Sequence, residues 1–489
     1  MATWHYSDYV GAGRPDLTAG DTIIGIPDGQ YMIYPLPMDN CDAPPCKIIN
    51  VDMCVEPDMV EIGQWGCQMP FIWAPQHGDN VFPSQLRLLD TSLSSPEVAA
   101  YSLGNLTLPS RTSVDHTNNC CYVSSSMSPG VQVAKVLLHP ANISRIDKDK
   151  TSRVNMAGVL ELVNYPDPCL SWKLYFNGNG NYIETRKNSL SPDYVSGLTI
   201  QERDPLTNEG FNSNWLESIK GICVDPNDGG LWVSMYFCRD IYKSKLYKFD
   251  RNGNKILGPI TSNDHMYHMF GMSYYNDNLI SPCPRAAVAE NFKDNKLPSN
   301  YPDMNKNEHV SGLMVYDIKK ERWYNYLPND GSEIVYLYNT IVHSNTIYGT
   351  VVGGPNTGKI YRRNMSEKNH SFIGDCGGIT SFIRGLCYRQ GNLYIAGSRP
   401  GARVYKVNLT NGRTSIIHLP EIEGIREVTG VGVDAFNNVW CMGLYKGYHI
   451  IKPDDVVEYK EYKNNEGVHY VHNDFVGRNV FSEEGRWLT

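Results

Sequence analysis

The feature that most constrains this fold is an internal repeat in the C-terminal two thirds of the chain. Three clear copies open at Gly221, Gly385 and Gly430, and two weaker copies open at Gly271 and Thr340. Each copy has an alternating apolar segment, an Asn/Asp/Gly turn, a second segment ending in an aromatic residue, a third segment, and a turn into a fourth. Three copies have nearly equal lengths up to the end of the third segment, at 340–364, 385–408 and 430–453. Such regular spacing indicates a repeat architecture.

Each copy predicts a four-stranded antiparallel sheet whose faces are buried only when neighbouring sheets stack on them. Units of this size and pattern are typical of the blades of a β-propeller. We therefore predict an all-β protein, a six-bladed propeller with five complete blades and one composite blade. In the composite blade, C-terminal strands within 468–481 would pair with an earlier hairpin at 172–185 and remove the free edges of the ring. Seven blades remain an alternative, because 131–168 also contains strand-like runs such as 131–138.

The first 130 residues do not follow the repeat. Segments 21–27 and 30–35 alternate like strands, but proline and polar turns interrupt this region often. The chain contains 32 Tyr, 9 Trp, 43 Gly and 29 Pro, a composition that favours strands and turns over long helices. We therefore predict a mainly β N-terminal docking module at 1–130 and a β-propeller at 131–489.

Charge and hydropathy argue against two classes of partner. Asp and Glu number 52 against 44 Lys and Arg, a net charge of -8, so the chain lacks the basic field that drives binding to phosphate backbones. No apolar run has the length of about 18 residues that a membrane-spanning helix needs. The N-terminus shows no basic segment followed by an apolar one, so we expect cytoplasmic synthesis without a signal peptide.

The repeats resemble those of a known group of propellers. The segments 221–225, 230–233 and 246–253 are similar to the repeats of NHL-type and streptogramin-lyase-like β-propellers, and more loosely to those of the gluconolactonase group. The resemblance covers residues 160–489 and is specific for the fold, because propellers of this kind include binding and scaffolding modules as well as lyases and lactonases. For the enzymes, it implies a divalent metal held near the central channel by carboxylates or amides, with a catalytic His added in the lyases.

Residues that line the channel should lie near the start of the first strand of each unit. Oxygen donors for a metal at these positions are Glu217, Asn339 and Glu427. Candidate ligand-binding residues there are His268, Arg384 and Arg426. The two arginines could bind an anionic ligand bidentately, or they could pair with Glu217 or Glu427 and link blades.

The complete set of channel positions mixes charges and carries no recognisable catalytic motif. Besides the six candidates it includes Lys220, His265, Tyr338, Ser381 and either His469 or His472. So many cationic side chains disfavour the binding of Ca²⁺ or Mg²⁺, which prefer clustered oxygen ligands. We therefore assign no catalytic residue and expect no cofactor.

Two functional hypotheses follow. In the first, the protein is a non-enzymatic binding or structural propeller in a larger assembly, such as a virion tail or attachment protein. Its protein partners would bind the N-terminal module and the long polar insertion at 283–312, and a homo-oligomer is compatible with this role. In the alternative, it is a metal-dependent lactonase-like or lyase-like enzyme that uses Ca²⁺ or Mg²⁺ at the channel.

Overall fold

The structure is a computed structural model, and in the residues that it describes the regular elements are all β-strands. It describes residues 3–8, 17–18, 29–35, 47–51, 71–76, 84–91, 93–104, 106, 109–115, 120–125, 131–138, 153–154, 160–161, 169–176, 180–187, 218–237, 245–261, 269–283, 312–325, 335–367, 369–378, 382–397, 401–420, 427–434, 436–443, 447–462 and 472–475. Within these ranges, no helix is long and apolar enough to cross a membrane.

The N-terminal strands form a sheet of their own. They are β1 (Thr3–Asp8), β2 (Leu17–Thr18), β3 (Gly29–Pro35) and β4 (Lys47–Val51). The sheet is antiparallel and has the order β2-β1-β3-β4.

The next ten strands form most of two larger sheets. They are β5 (Phe71–Gln76), β6 (Ser84–Asp90), β7 (Glu97–Gly104), β8 (Pro109–Asp115), β9 (Cys120–Ser125), β10 (Val131–Leu137), β11 (Arg153–Val154), β12 (Leu160–Glu161), β13 (Leu170–Phe176) and β14 (Tyr182–Lys187). One sheet has the order β12-β11-β7-β6-β5. The other continues from β14 through β13, β10 and β9 to β8.

The repeat units form five four-stranded meanders, as the sequence predicts. In the first three meanders the strands are β15 (Ser218–Val224), β16 (Leu231–Phe237), β17 (Lys245–Phe249), β18 (Lys255–Thr261), β19 (Ser273–Tyr275), β20 (Asn278–Cys283), β21 (Gly312–Asp317), β22 (Arg322–Asn325), β23 (Tyr336–His343), β24 (Thr346–Gly353), β25 (Ile360–Asn364) and β26 (Ser371–Ile373). In the last two they are β27 (Ile383–Arg389), β28 (Asn392–Gly397), β29 (Arg403–Asn408), β30 (Thr414–His418), β31 (Val428–Val433), β32 (Val439–Gly443), β33 (Gly447–Ile451) and β34 (Val457–Glu461). Within each meander, consecutive strands are neighbours.

The seven sheets after the N-terminal one stack as the blades of a propeller. Clusters of buried side chains lie between successive sheets, from the β5–β7 sheet around to the β31–β34 sheet. A further cluster packs the β31–β34 sheet against the β5–β7 sheet, with Trp440, Ile72 and Phe475 among its members. Because the last sheet packs on the first, the ring is closed and has seven blades, which is the alternative that the strand-like run at 131–138 indicated.

The C-terminus closes the ring through one short strand, β35 (His472–Asp474). It joins the same sheet as the hairpin β13–β14, so this sheet is composite, as predicted. The predicted direct pairing with the hairpin is wrong, however, because β35 lies at the opposite edge and pairs in parallel with β8. Strand β13 of the hairpin pairs instead with β10. Next to β35, the carbonyl of Phe475 accepts a hydrogen bond from Trp73 N, which ties the C-terminus to the neighbouring blade.

The sequence-based division near residue 130 falls inside this composite sheet, between β9 and β10. Strands β5 to β9, which the sequence assigned to the N-terminal module, lie in two sheets of the ring. Their propeller role has no sequence signature of its own, because their connections and neighbours differ from those of the repeat units.

The repeated aromatic and acidic residues are structural. Trp232 and Trp440 are buried, and each indole Nε1 donates to an aspartate at the preceding turn, Asp225 at 3.0 Å and Asp434 at 2.7 Å. The opening glycines let first strands of neighbouring blades approach closely. A Cβ at Gly385 would lie 3.1 Å from the Cα of Gly430, tighter than most contacts of this kind.

Candidate functional site

The first strands of neighbouring blades contact one another, which places them at the centre of the ring. Charged and aromatic side chains cluster near the starts of these strands. They are Arg111 in β8, Lys220 in β15, Phe270 just before β19, Tyr338 and Asn339 in β23, Phe382 just before β27, Arg384 in β27, and Glu427 just before β31. We call this set the channel mouth. A backbone hydrogen bond from Gly271 N to the Lys220 carbonyl, 2.8 Å long, links two of these strands directly.

Aromatic rings form a row along the channel mouth. The ring of Phe270 packs edge-on against Tyr338 with 4.7 Å between centroids, and Tyr338 packs against Phe382 at 5.8 Å. Edge-to-face packing of this kind is the arrangement that aromatic pairs prefer. The row forms a largely buried aromatic wall that spans three adjacent blades.

Cations lie against this wall. The guanidinium of Arg111 is 4.3 Å from the centroid of Phe270 and 6.0 Å from that of Tyr338, and Arg384 lies 5.0 Å from Phe382. The ammonium of Lys220 is 6.0 Å from the centroid of Phe270. Phe270 therefore has two cations within cation–π range, one from each of two adjacent blades.

Lys220 is the electrostatically perturbed member of the channel mouth. Protein atoms surround its ammonium, although the residue keeps some solvent exposure. Burial lowers the pKa of Lys220 well below its ordinary value, because it disfavours the charged form, and the positive charge of Arg111 lowers it further. Among the residues that the structure describes, no carboxylate forms an ion pair with Lys220.

Arg384 and Glu427 form an ion pair between two neighbouring blades. Arg384 Nη2 donates to Glu427 Oε2 at 2.8 Å, and the side chains are only 11% and 19% exposed. Of the two roles that the sequence left open for Arg384, the structure shows the blade-linking one. The same pair engages the carboxylate of Glu427, which the sequence predicts as a metal ligand.

The third described candidate, Asn339, is also engaged. Its side-chain Oδ1 accepts a hydrogen bond from Thr340 N at 3.0 Å, and the residue is buried. In the described part of the chain, no group of three or more His, Cys, Asp or Glu side chains is placed to hold a metal ion. Asn339 and Glu427 are thus both engaged in bonds within the protein, Asn339 with its neighbour Thr340 and Glu427 with Arg384.

The remaining predicted residues, Glu217, His268 and Arg426, lie outside the described residues. Arg111, Phe270 and Phe382 were missed by sequence reasoning. Phe270 directly precedes the opening glycine Gly271, as Lys220 precedes Gly221, so alignment of the units on their opening residues would have found it. No comparable signal marks Arg111, because its strand belongs to a blade that lacks the repeat pattern.

Comparison with known proteins adds little beyond the fold. No family model and no curated protein sequence matches the chain. Similar solved structures include the dihydro-heme d1 dehydrogenase NirN, with 11% identity, a TM-score of 0.48, and coverage of 92% of this chain and 80% of that one. Apo AztD from Citrobacter koseri has 9% identity, a TM-score of 0.42, and coverage of 82% and 97%.

A putative gluconolactonase has 12% identity and a TM-score of 0.34, and the match covers 51% of this chain and 80% of that one. Likeness at these levels carries no statement about activity. None of these comparisons assigns the chain to the NHL-type or streptogramin-lyase-like group that its repeats resemble. The propeller architecture therefore rests on this chain's own sheets and their packing.

Proposed function

We propose that this protein is a non-enzymatic binding or structural β-propeller that acts as a component of a larger protein assembly. One observation carries the proposal. The only described carboxylate of the predicted metal set, Glu427, forms an ion pair with Arg384 across a blade interface. A lactonase-like or lyase-like mechanism would need oxygen ligands that converge on a divalent ion at this place.

The N-terminal sheet supports the assembly role. Strands β1 to β4 form a sheet outside the seven blades, so they are not required to complete the ring. An accessory sheet of this kind has edge strands to which a partner could add a strand. The predicted second contact region, the insertion at 283–312, connects β20 to β21 within one blade, and most of it lies outside the described residues.

The proposal is tested by native mass spectrometry of the full chain together with elemental analysis after extensive dialysis. We expect a discrete multimeric mass and no stoichiometric divalent metal. A monomer with one tightly bound Ca²⁺ or Mg²⁺ per chain would contradict the proposal, above all if it hydrolysed lactones. In that case Glu427→Gln should abolish the hydrolysis, while the exposed control Glu321→Gln should leave it unchanged.

A further inference from the structure

The strand β35 lies at the centre of the ring. It pairs in parallel with β8 of the composite sheet, and it also contacts β31 and β27, the first strands of the last two blades. Directly after β35, the carbonyl of Phe475 accepts a hydrogen bond from Trp73 N in β5. This one short segment therefore contacts four of the seven blades.

The composite sheet is complete without β35. Strands β8, β9, β10, β13 and β14 already form five adjacent strands, whereas each repeat blade has four. Without β35, the edge of β8 would present backbone hydrogen-bonding groups along Arg111, Thr112 and Ser113, the residues that pair with β35. An extended segment can add to such an edge as a further strand.

Phe475 anchors the added strand by its side chain. It is fully buried in the apolar cluster between the last and the first blade, which includes Ile72 of β5 and Trp440 and Met442 of β32. We call these surroundings the Phe475 pocket. An aromatic ring buries a large apolar area for a single residue, so it supplies much of the affinity of a short segment. The edge and the pocket together fit a short extended backbone that is followed at once by an aromatic side chain.

Few bonds hold β35 in place. Its ladder spans three residue pairs, and parallel pairing is slightly less stable per residue than antiparallel pairing. The strand lies at an edge of its sheet, so it can leave without breaking the pairing of any other two strands. Local opening of this kind requires less free energy than unfolding of the whole ring.

We propose that the β8 edge and the Phe475 pocket form a strand-acceptor site for the segment 472–475 of a second copy, and that the chain's own β35 is a releasable occupant of this site. A segment from a second copy makes the same contacts, so exchange between copies loses none of them. The inference rests on the proposed function, because it names the segment that links copies within an assembly.

The chain's own strand competes with an added segment. The apparent affinity for the added segment is the intrinsic affinity reduced by the fraction of chains whose site is open. Phe475→Ala removes the anchor of the chain's own strand and leaves the acceptor residues unchanged, so it raises the open fraction. The variant should therefore bind an added segment more tightly than the wild type does.

The test is fluorescence anisotropy with the full-length protein and a labelled synthetic peptide of residues 468–479. We expect the Phe475→Ala protein to bind this peptide at least about tenfold more tightly than the wild type. A second peptide that carries Phe475→Ala should bind the variant protein at least about tenfold more weakly, because it cannot fill the pocket. The matched control protein Ile416→Ala, changed at an exposed residue, should bind like the wild type.

Hydrogen–deuterium exchange of the wild-type protein tests the release of β35 without any variant, and it decides the matter even if Phe475→Ala folds poorly. We expect the amides of 472–475 to exchange at least about tenfold faster than those of β31 and β32. Exchange at the same rate would show that β35 leaves only when the ring unfolds, which would overturn the proposal.

Three binding results would also overturn it. They are no binding of the peptide to the Phe475→Ala protein up to about 1 mM, equal binding to the variant and the wild type, and equal binding of the two peptides. If native mass spectrometry shows a multimer, any of these results overturns this inference and leaves the proposed function standing. Peptide binding by a monomeric protein overturns the proposed function and leaves the strand-acceptor site standing.

Discussion

Arg389 joins the last two blades of the ring, and its removal should destabilise the protein strongly. Its guanidinium donates to the backbone carbonyls of Asn437, Ile451 and Lys452, and to the carboxylate of Asp455 at 2.8 Å. All four acceptors belong to the neighbouring blade. Arg389→Met keeps most of the aliphatic stem and removes every one of these hydrogen bonds.

The expected cost follows from burial. Breaking a buried ion pair by removing one partner costs about 3–5 kcal/mol, because the remaining charge is left without compensation. Arg389 is only 2% exposed, but Asp455 is 38% exposed and keeps a second partner, Lys406, at 2.5 Å. Solvent and Lys406 therefore screen the remaining carboxylate, and we expect a loss of about 3 kcal/mol, at the lower end of that range.

Urea denaturation measures this loss. Tryptophan fluorescence and circular dichroism should report the same transition, which checks that unfolding is two-state. The control Arg413→Met, at an exposed residue in the β29–β30 turn, should change stability by less than about 0.5 kcal/mol. A loss below about 0.5 kcal/mol for Arg389→Met as well would refute the reasoning, because the inter-blade bonds would then contribute nothing net.

Three further predictions concern the core. Phe475→Ala should cost about 3–5 kcal/mol in urea denaturation, because Phe475 is fully buried where the ring closes; a loss under about 1 kcal/mol would contradict this closure. Trp440→Phe should cost about 2 kcal/mol, since buried Asp434 loses a charge-assisted donor. A double-mutant cycle that combines Trp440→Phe with Asp434→Asn should show coupling between the two residues. His449 has a pKa lowered by burial, an effect that the Pro420 carbonyl partly offsets, so the unfolded chain binds more protons below about pH 6.5. Wild-type stability should therefore fall relative to His449→Leu as the pH decreases from about 6.5 to the folded-state pKa; parallel pH profiles would disprove this.

The channel-mouth residues show what kind of site residue sequence reasoning can find. Lys220, Tyr338, Asn339, Arg384 and Glu427 lie near the starts of first strands, where the repeat pattern placed them. Their chemical roles were not predictable to the same degree. Arg384 could pair with a ligand or with a carboxylate, and only the relative placement of two blades selects Glu427.

The sequence by itself determined the all-β class and the five meanders from β15 to β34. In each of them, strand pairing is local, so turn residues and alternating apolar positions within some forty residues specify the whole sheet. The tertiary structure decided the other two blades, which bring the total to seven, and the parallel pairing of β35 with β8. The pairing of β35 with β8 joins segments far apart in the chain, so no local pattern encodes it. Strands β5 to β14 pair mostly with near neighbours in sequence but lack the repeat pattern, and they complete the ring because the apolar faces of the first and last meanders are buried only when further sheets stack on them. The same closure brings Arg111 beside Phe270 and Lys220.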